Sequence, residues 1–180
     1  MTRPVPQGKA VRVLFDADTI DVRTRELAKE IVAVMGLEFA VVPVLKGSFM
    51  FAADLLRALH LEGAEVEVDF VILSSYGDRT TSSGQVTVQR DISIIVRGKK
   101  LLIVDDILES GRTLSFAKDL MSARGAEVQL CVLLDKPKRR ENNLQADFVG
   151  FECPERFVVG YGMDVANCFR ELPFIGVVED

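Results

Sequence analysis

The segment Leu101–Leu114, LLIVDDILESGRTL, constrains this chain more than any other stretch. Four apolar residues, Leu101–Val104, lead directly into Asp105 and Asp106. Ile107 and Leu108 anchor the next turn, and Glu109-Ser110-Gly111-Arg112-Thr113 then opens a helix with Leu114, Ala117, Leu120 and Met121 on one face. Gly111 permits a tight turn, so that successive backbone N–H groups face one concavity, and Ser110 and Thr113 add hydroxyl donors. The helix N-terminus contributes an effective charge of roughly +0.5, and such a turn attracts an anion. The paired acids suit different work: they can hold sugar hydroxyls, or bind Mg²⁺ directly or through water. This is not a Walker A loop, because Asp106 stands where the first glycine should fall and Arg112 replaces the lysine. Either half alone could merely end a strand or begin a helix. Joined in this order after an apolar strand, they point to a sugar phosphate.

The rest of the chain alternates strand and helix signals. Val11–Phe15 reads as a short strand, and Asp16–Asp21 offers several N-caps for a helix carrying Leu27, Ile31, Val34 and Met35 until Gly36 stops it. Phe39–Leu45 is a continuous apolar, β-branched run, the pattern of a strand covered on both faces. Lys46-Gly47-Ser48 breaks it, and Phe49–Leu59 is again helical. Strands are expected at Glu65–Leu73, Val86–Gln89, Lys100–Val104 and Glu127–Leu134, with short ones at Asp147–Phe151, Phe157–Gly160 and Phe174–Val178. This order predicts one α/β domain over residues 1–180, with a mainly parallel twisted sheet flanked by helices. Ligands of such sheets bind beyond the carboxyl ends of the strands, which directs attention to Lys46-Gly47, Asp105–Thr113 and Asp135-Lys136. Residues 74–85 are small and polar and are expected to form a mobile active-site loop, and residues 1–10 a flexible lead-in.

Composition narrows the classes. The net charge of −5 argues against nucleic acid as the main partner. The local cluster Lys136, Lys138, Arg139 and Arg140 reads as a solvated loop. Apolar runs are too short for a membrane span. Three widely separated cysteines favour buried thiols in a reducing cytoplasm over disulfides or zinc.

Taken together, Leu101–Leu114 resembles the phosphoribosyl-diphosphate (PRPP) signature of type I phosphoribosyltransferases. Further segments resemble the hypoxanthine-guanine branch of that family. Val44-Leu45-Lys46-Gly47-Ser48 is similar to its pyrophosphate loop, and Ser75-Tyr76-Gly77-Asp78 to its catalytic lid. Lys136 stands where that branch has its purine-contacting lysine. Asp147–Phe151, Phe157–Asp164 and Phe169–Pro173 resemble its C-terminal purine site. The likeness covers nearly the whole chain after the first fifteen residues, in the same order.

The resemblance implies a purine salvage enzyme that converts hypoxanthine or guanine plus PRPP to IMP or GMP plus pyrophosphate, with Mg²⁺ as cofactor. It assigns Asp105 and Asp106 to the ribose hydroxyls and one Mg²⁺, and Asp164 to a second. Ser110, Gly111, Arg112 and Thr113 would cradle the 5-phosphate, and Lys46, Gly47 and Arg170 would meet pyrophosphate, although an ion pair of Arg170 with Glu171 or Asp164 competes with that role. Lys136 would donate to the 6-oxo group, Phe157 would stack on the base, and carbonyls near Val158 and Asp164 would receive a 2-amino group. Ser75, Tyr76, Glu109 and Lys136 form the implied catalytic set. The family also implies a cis peptide at Leu45–Lys46, a small hood built from about 11–16 and 147–180, and a homodimer or homotetramer. One departure stands out: the family's usual aspartate at position 109 is Glu109 here, whose carboxylate reaches one methylene farther. Three rivals stay open at this point: a transferase for xanthine or another base, a nucleotide- and RNA-binding regulator of the same fold, and an inactive metabolite-binding protein.

Overall fold

The computed structural model describes residues 11–75 and 86–178, with Ser75 described through its backbone. Among the described residues there are ten strands and three α-helices. In chain order they are β1 (Val11–Phe15), α1 (Ala17–Met35), β2 (Glu38–Leu45), α2 (Phe49–Leu61), β3 (Glu65–Val68), β4 (Val71–Ser75), β5 (Val86–Arg90), β6 (Lys100–Leu108), α3 (Arg112–Ala123), β7 (Glu127–Asp135), β8 (Phe148–Glu152), β9 (Val158–Val159) and β10 (Ile175–Val178).

The larger sheet runs β5-β4-β2-β6-β7-β8, with β3 also paired to β2. Every pairing in it is parallel except that of β4 with β5. Side-chain alternation divides its core. Phe39, Val41, Leu102, Val104, Cys131 and Leu133 pack with α1 and α2, while Ala40, Val42, Val44, Leu101, Ile103, Leu130 and Val132 pack with α3. Both faces are covered, as the unbroken apolar strands require. α1 begins at Asp16, whose carboxylate accepts from the Thr19 N–H at 2.8 Å, and ends at Gly36 with φ 85°.

Three departures from the sequence expectation lie near the carboxyl ends of the strands or split one of them. β6 continues through Asp105 and Asp106 to Leu108, because Asp105, Ile107 and Leu108 find partners along β7. The expected strand Glu65–Leu73 is two strands, β3 and β4, which pair with successive halves of β2. The break falls at Asp69, whose carboxylate accepts from the Ser93 N–H and Oγ, the Ile94 N–H and its neighbour Phe70 N–H. β4 also extends through Ser75, past the expected start of the loop at 74.

The donors at Asp69, led by the Ser93 amide, hold its carboxyl at about 2, below the ordinary 3.8. A depressed carboxyl pKa adds stability that is present above the unfolded-state value and is lost as pH falls through the folded one. Asp69→Asn is therefore expected to lower the melting temperature at neutral pH. The gap to the native chain should shrink as the buffer is taken from about pH 4 towards pH 2.

A second, antiparallel sheet has the order β1-β10-β9 and packs over the α1 and α2 side of the core. Phe148–Glu152 does not belong to it. That strand pairs with β7 in the large sheet, so the small sheet takes its C-terminal strands from after Glu152 and not from 147. The reason is hydrogen bonding: β7 needs a neighbour on its far side, and β8 supplies it. Arg23 of α1 then covers the outer edge of β8, donating to the carbonyls of Val149 and Gly150.

Candidate active site

The carboxyl ends of β2, β6 and β7 converge on two clefts that share Leu45, Lys46, Gly47, Leu73, Asp106, Ile107 and Glu109. One, of about 330 Å³, lies over the end of β6 and the start of α3 and contains Asp105, Ser110, Gly111 and Thr113. The other, of about 420 Å³, reaches under the small sheet to Lys136, Phe157, Val158, Asp164 and Arg170. The expected site residues are thus brought together, with three exceptions. Tyr76 and the side chain of Ser75 lie outside the described residues. Arg112 is at the start of α3, but its guanidinium turns from the cleft to Glu141, at 2.5 Å. Its backbone N–H stays at the turn and donates to Ser110 Oγ at 3.4 Å.

The turn into α3 is tight at Gly111, as the sequence suggested. Gly111 caps α3 in the left-handed region at φ 84°, which an L side chain adopts only with strain. A Cβ there would also overlap the side chain of Asn142. The first turn of α3 opens on the smaller cleft, with the Arg112 N–H directed to Ser110 Oγ.

Asp105 is buried and Asp106 partly so. Each carboxylate accepts a local amide: Asp105 from Asp106 N–H at 2.9 Å, and Asp106 from Ile107 N–H at 3.0 Å. Burial pushes both carboxyls above the usual range; at Asp105 the neighbouring negative charge adds to the effect, and at Asp106 Arg170 partly opposes it. Among the described residues neither acid has an ion-pair partner, and no group of three or more acids, histidines or cysteines gathers to make a cage for a metal. Two desolvated carboxylates without a cation fit Mg²⁺, which keeps several water or ligand oxygens and needs only one or two protein carboxylates. Asp164 fits less well: Arg170 holds one of its oxygens at 2.7 Å and the Asn167 N–H holds the other at 2.6 Å. The competing ion pair for Arg170 is therefore the one formed, and the same guanidinium also donates to the Gly162 carbonyl.

At the pyrophosphate loop the Leu45–Lys46 peptide is cis, as the resemblance implied. Lys46 is exposed, and Gly47 sits directly against Asp106.

The larger cleft is lined by a buried cation. Lys136 is 2% exposed, and its Nζ donates to Glu109 Oε1 and to the Arg156 carbonyl, the latter at 2.9 Å. The Glu109 carboxylate, one methylene beyond an aspartate's, is in contact with this ammonium. Phe157 is 59% exposed at the mouth of the cleft, so it is not a core aromatic.

Sequence reasoning missed Arg140, read as part of a solvated basic loop. Its side chain is 11% exposed and donates to the Asp135 carboxylate and to the Glu109 carbonyl, the latter at 2.7 Å. Arg139 pairs outward with Glu155. No local signal separates the two arginines; only the tertiary approach of the β7 end to the β6 end does.

Residues 14–166 match the phosphoribosyl transferase domain. The chain is 42% identical over 170 residues to the hypoxanthine-guanine phosphoribosyltransferase of Bacillus subtilis (strain 168), with 93% of each chain covered. It belongs to that family. The fold agrees: a crystal structure of a hypoxanthine-guanine phosphoribosyltransferase from Bacillus anthracis superposes with a TM-score of 0.88 at 41% identity, covering 94% of this chain and 100% of the other. Members of the family also occur inside longer proteins. The chain is 44% identical to part of the bifunctional protein TilS/HprT of Listeria innocua, and spans 26% of that protein's length.

Proposed function

We propose that this chain is a cytoplasmic purine salvage enzyme that transfers ribose 5-phosphate from PRPP to N9 of hypoxanthine or guanine, forming IMP or GMP and releasing pyrophosphate. The observation that carries this reading is the buried ammonium of Lys136 at the wall of an open cleft that also holds Phe157 and adjoins the phosphate turn. An ammonium has three donors and no acceptor. It matches a 6-oxo oxygen and has nothing to offer the 6-amino group of adenine. Position 6 and N7 lie on one edge of a purine, and Lys136 and Glu109 touch each other, so a donor and a carboxylate stand side by side for that edge.

The remaining residues take the roles that the resemblance implies, and their placement around the two clefts supports them. The backbone N–H groups of Gly111, Arg112 and Thr113, with the hydroxyls of Ser110 and Thr113, bind the 5-phosphate at the start of α3. Asp105 and Asp106 hold the ribose hydroxyls. Lys46 supplies positive charge for the departing pyrophosphate, and Arg170 would add to it only by loosening its pair with Asp164. Glu109 manages the proton at N7 as N9 bonds to the sugar. Phe157 covers one face of the base, and carbonyls near Val158 and Asp164 receive the 2-amino group of guanine. Asp105 and Asp106 would hold Mg²⁺, which supplies charge neutralisation at the diphosphate.

The test is nucleotide formation from PRPP and hypoxanthine before and after chelation of divalent cations. Activity should vanish in excess EDTA and return when Mg²⁺ is restored. Undiminished turnover in EDTA would refute the magnesium role.

A further inference from the structure

The connection from Lys136 to Asn142 runs beside Leu108–Arg112 and touches each residue of it. The Lys136 N–H donates to the Leu108 carbonyl at 2.9 Å, Arg140 Nη1 to the Glu109 carbonyl at 2.7 Å, and the Glu141 N–H to the Ser110 carbonyl at 3.0 Å. Asn142 occupies the space that a side chain on Gly111 would need, and Glu141 pairs with Arg112. The phosphate turn is therefore shaped by a second segment and not by its own sequence alone.

Arg140 holds a particular place in this brace. A guanidinium that is nearly buried must be paired, and its fork is divided between two backbone segments. One arm takes the carboxylate of Asp135, the residue immediately before Lys136. The other takes the backbone carbonyl of Glu109. Glu109 and Lys136 are themselves in contact through their side chains. One side chain thus ties together the two stretches of backbone that carry this pair.

We infer that Arg140 is a positioning residue that sets the separation of Glu109 and Lys136, and through it the fit of the purine's 6,7 edge. The inference rests on the reading of the cleft as a 6-oxopurine site. Arg140 itself lines neither cleft. With its carbonyl anchor gone, Glu109 is free to shift, and a displacement of about 1 Å at a reacting group costs on the order of 100-fold in rate.

Two measurements test this. The first is a crystal structure of Arg140→Met, and of Arg140→Lys should the methionine variant fail to fold. Glu109 is expected to leave Lys136; a contact kept in place would overturn the inference whatever the enzyme's activity. The second is a double-mutant cycle with Glu109→Gln, read in kcat for hypoxanthine. Arg140→Met should lower kcat by about 10- to 100-fold in the native background and change it little in the Glu109→Gln background, since two groups acting through one contact are not additive. Equal losses in both backgrounds would mean that Arg140 only supports the fold. Absence of native turnover, with Glu109 displaced in the variant crystal, would contradict the 6-oxopurine reading and leave the positioning role standing.

Discussion

Lys136→Met is expected to reduce kcat/KM for hypoxanthine and guanine by at least about 100-fold, a loss of about 2.7 kcal/mol of transition-state stabilisation. Methionine keeps the length and apolar stem of lysine, so the cleft wall stays filled while the charge goes. Two groups then lose their donor: the Glu109 carboxylate and the Arg156 carbonyl. Leaving a buried acceptor without a partner costs about 1–3 kcal/mol. Only part of this is expected here, because Arg156 is an exposed residue and the Glu109 side chain is 39% exposed, so water can replace the ammonium at both. A modest fall in melting temperature should accompany the kinetic loss. Adenine turnover should not rise to match, so the ratio between 6-oxopurines and adenine should collapse by loss of the former. Steady-state kinetics with each base read the ratio directly. Unchanged discrimination would show that Lys136 is a structural cation only.

Gly47→Ala is expected to be as damaging, through sterics alone. A Cβ at this position would overlap the carboxylate of Asp106. Gly162 also lies close to the Gly47 carbonyl, near enough that a side chain on Gly162 would overlap it. Either Asp106 rotates away from the sugar side of the cleft or the loop following the Leu45–Lys46 peptide moves. Both displace groups assigned to PRPP, and a shift of about 1 Å implies roughly 100-fold or more in rate. The fold should survive, because Gly47 lies at the cleft wall and outside both apolar cores. Loss of PRPP-dependent turnover with a nearly native melting curve is the expected outcome. A fully active alanine variant would mean that Asp106 and the loop do not have to keep their present contact.

Much of this was legible in the sequence because it is written locally. The apolar runs of β2, β6 and β7 announce strands covered on both faces, and the order of strands and helices predicts the parallel sheet. Gly111 with its flanking hydroxyls announces the phosphate turn. The extent of β6 was not legible: Asp105 and Asp106 look like the end of a strand, and only pairing with β7 carries the strand on to Leu108. Arg112 and Arg140 exchange the places that sequence reasoning gives them. Arg112 sits inside the signature but directs its charge to Glu141, whereas Arg140 sits in a basic loop and turns inward. Lysine at 136 and phenylalanine at 157 carry no local mark of their roles; the resemblance supplied those, and their opposite degrees of burial give them a physical basis. Glu109 was the one discordant residue in the signature, and its carboxylate meets Lys136, a contact that the sequence does not show.

The most direct measurement is a PRPP-dependent assay in Mg²⁺ with hypoxanthine, guanine, xanthine and adenine offered separately. Hypoxanthine and guanine should each yield the nucleotide and stoichiometric pyrophosphate, with adenine slower by about 100-fold or more, as expected where a buried donor is left unmatched. Comparable rates with adenine, or no PRPP consumption with either 6-oxopurine by folded protein, would contradict the account.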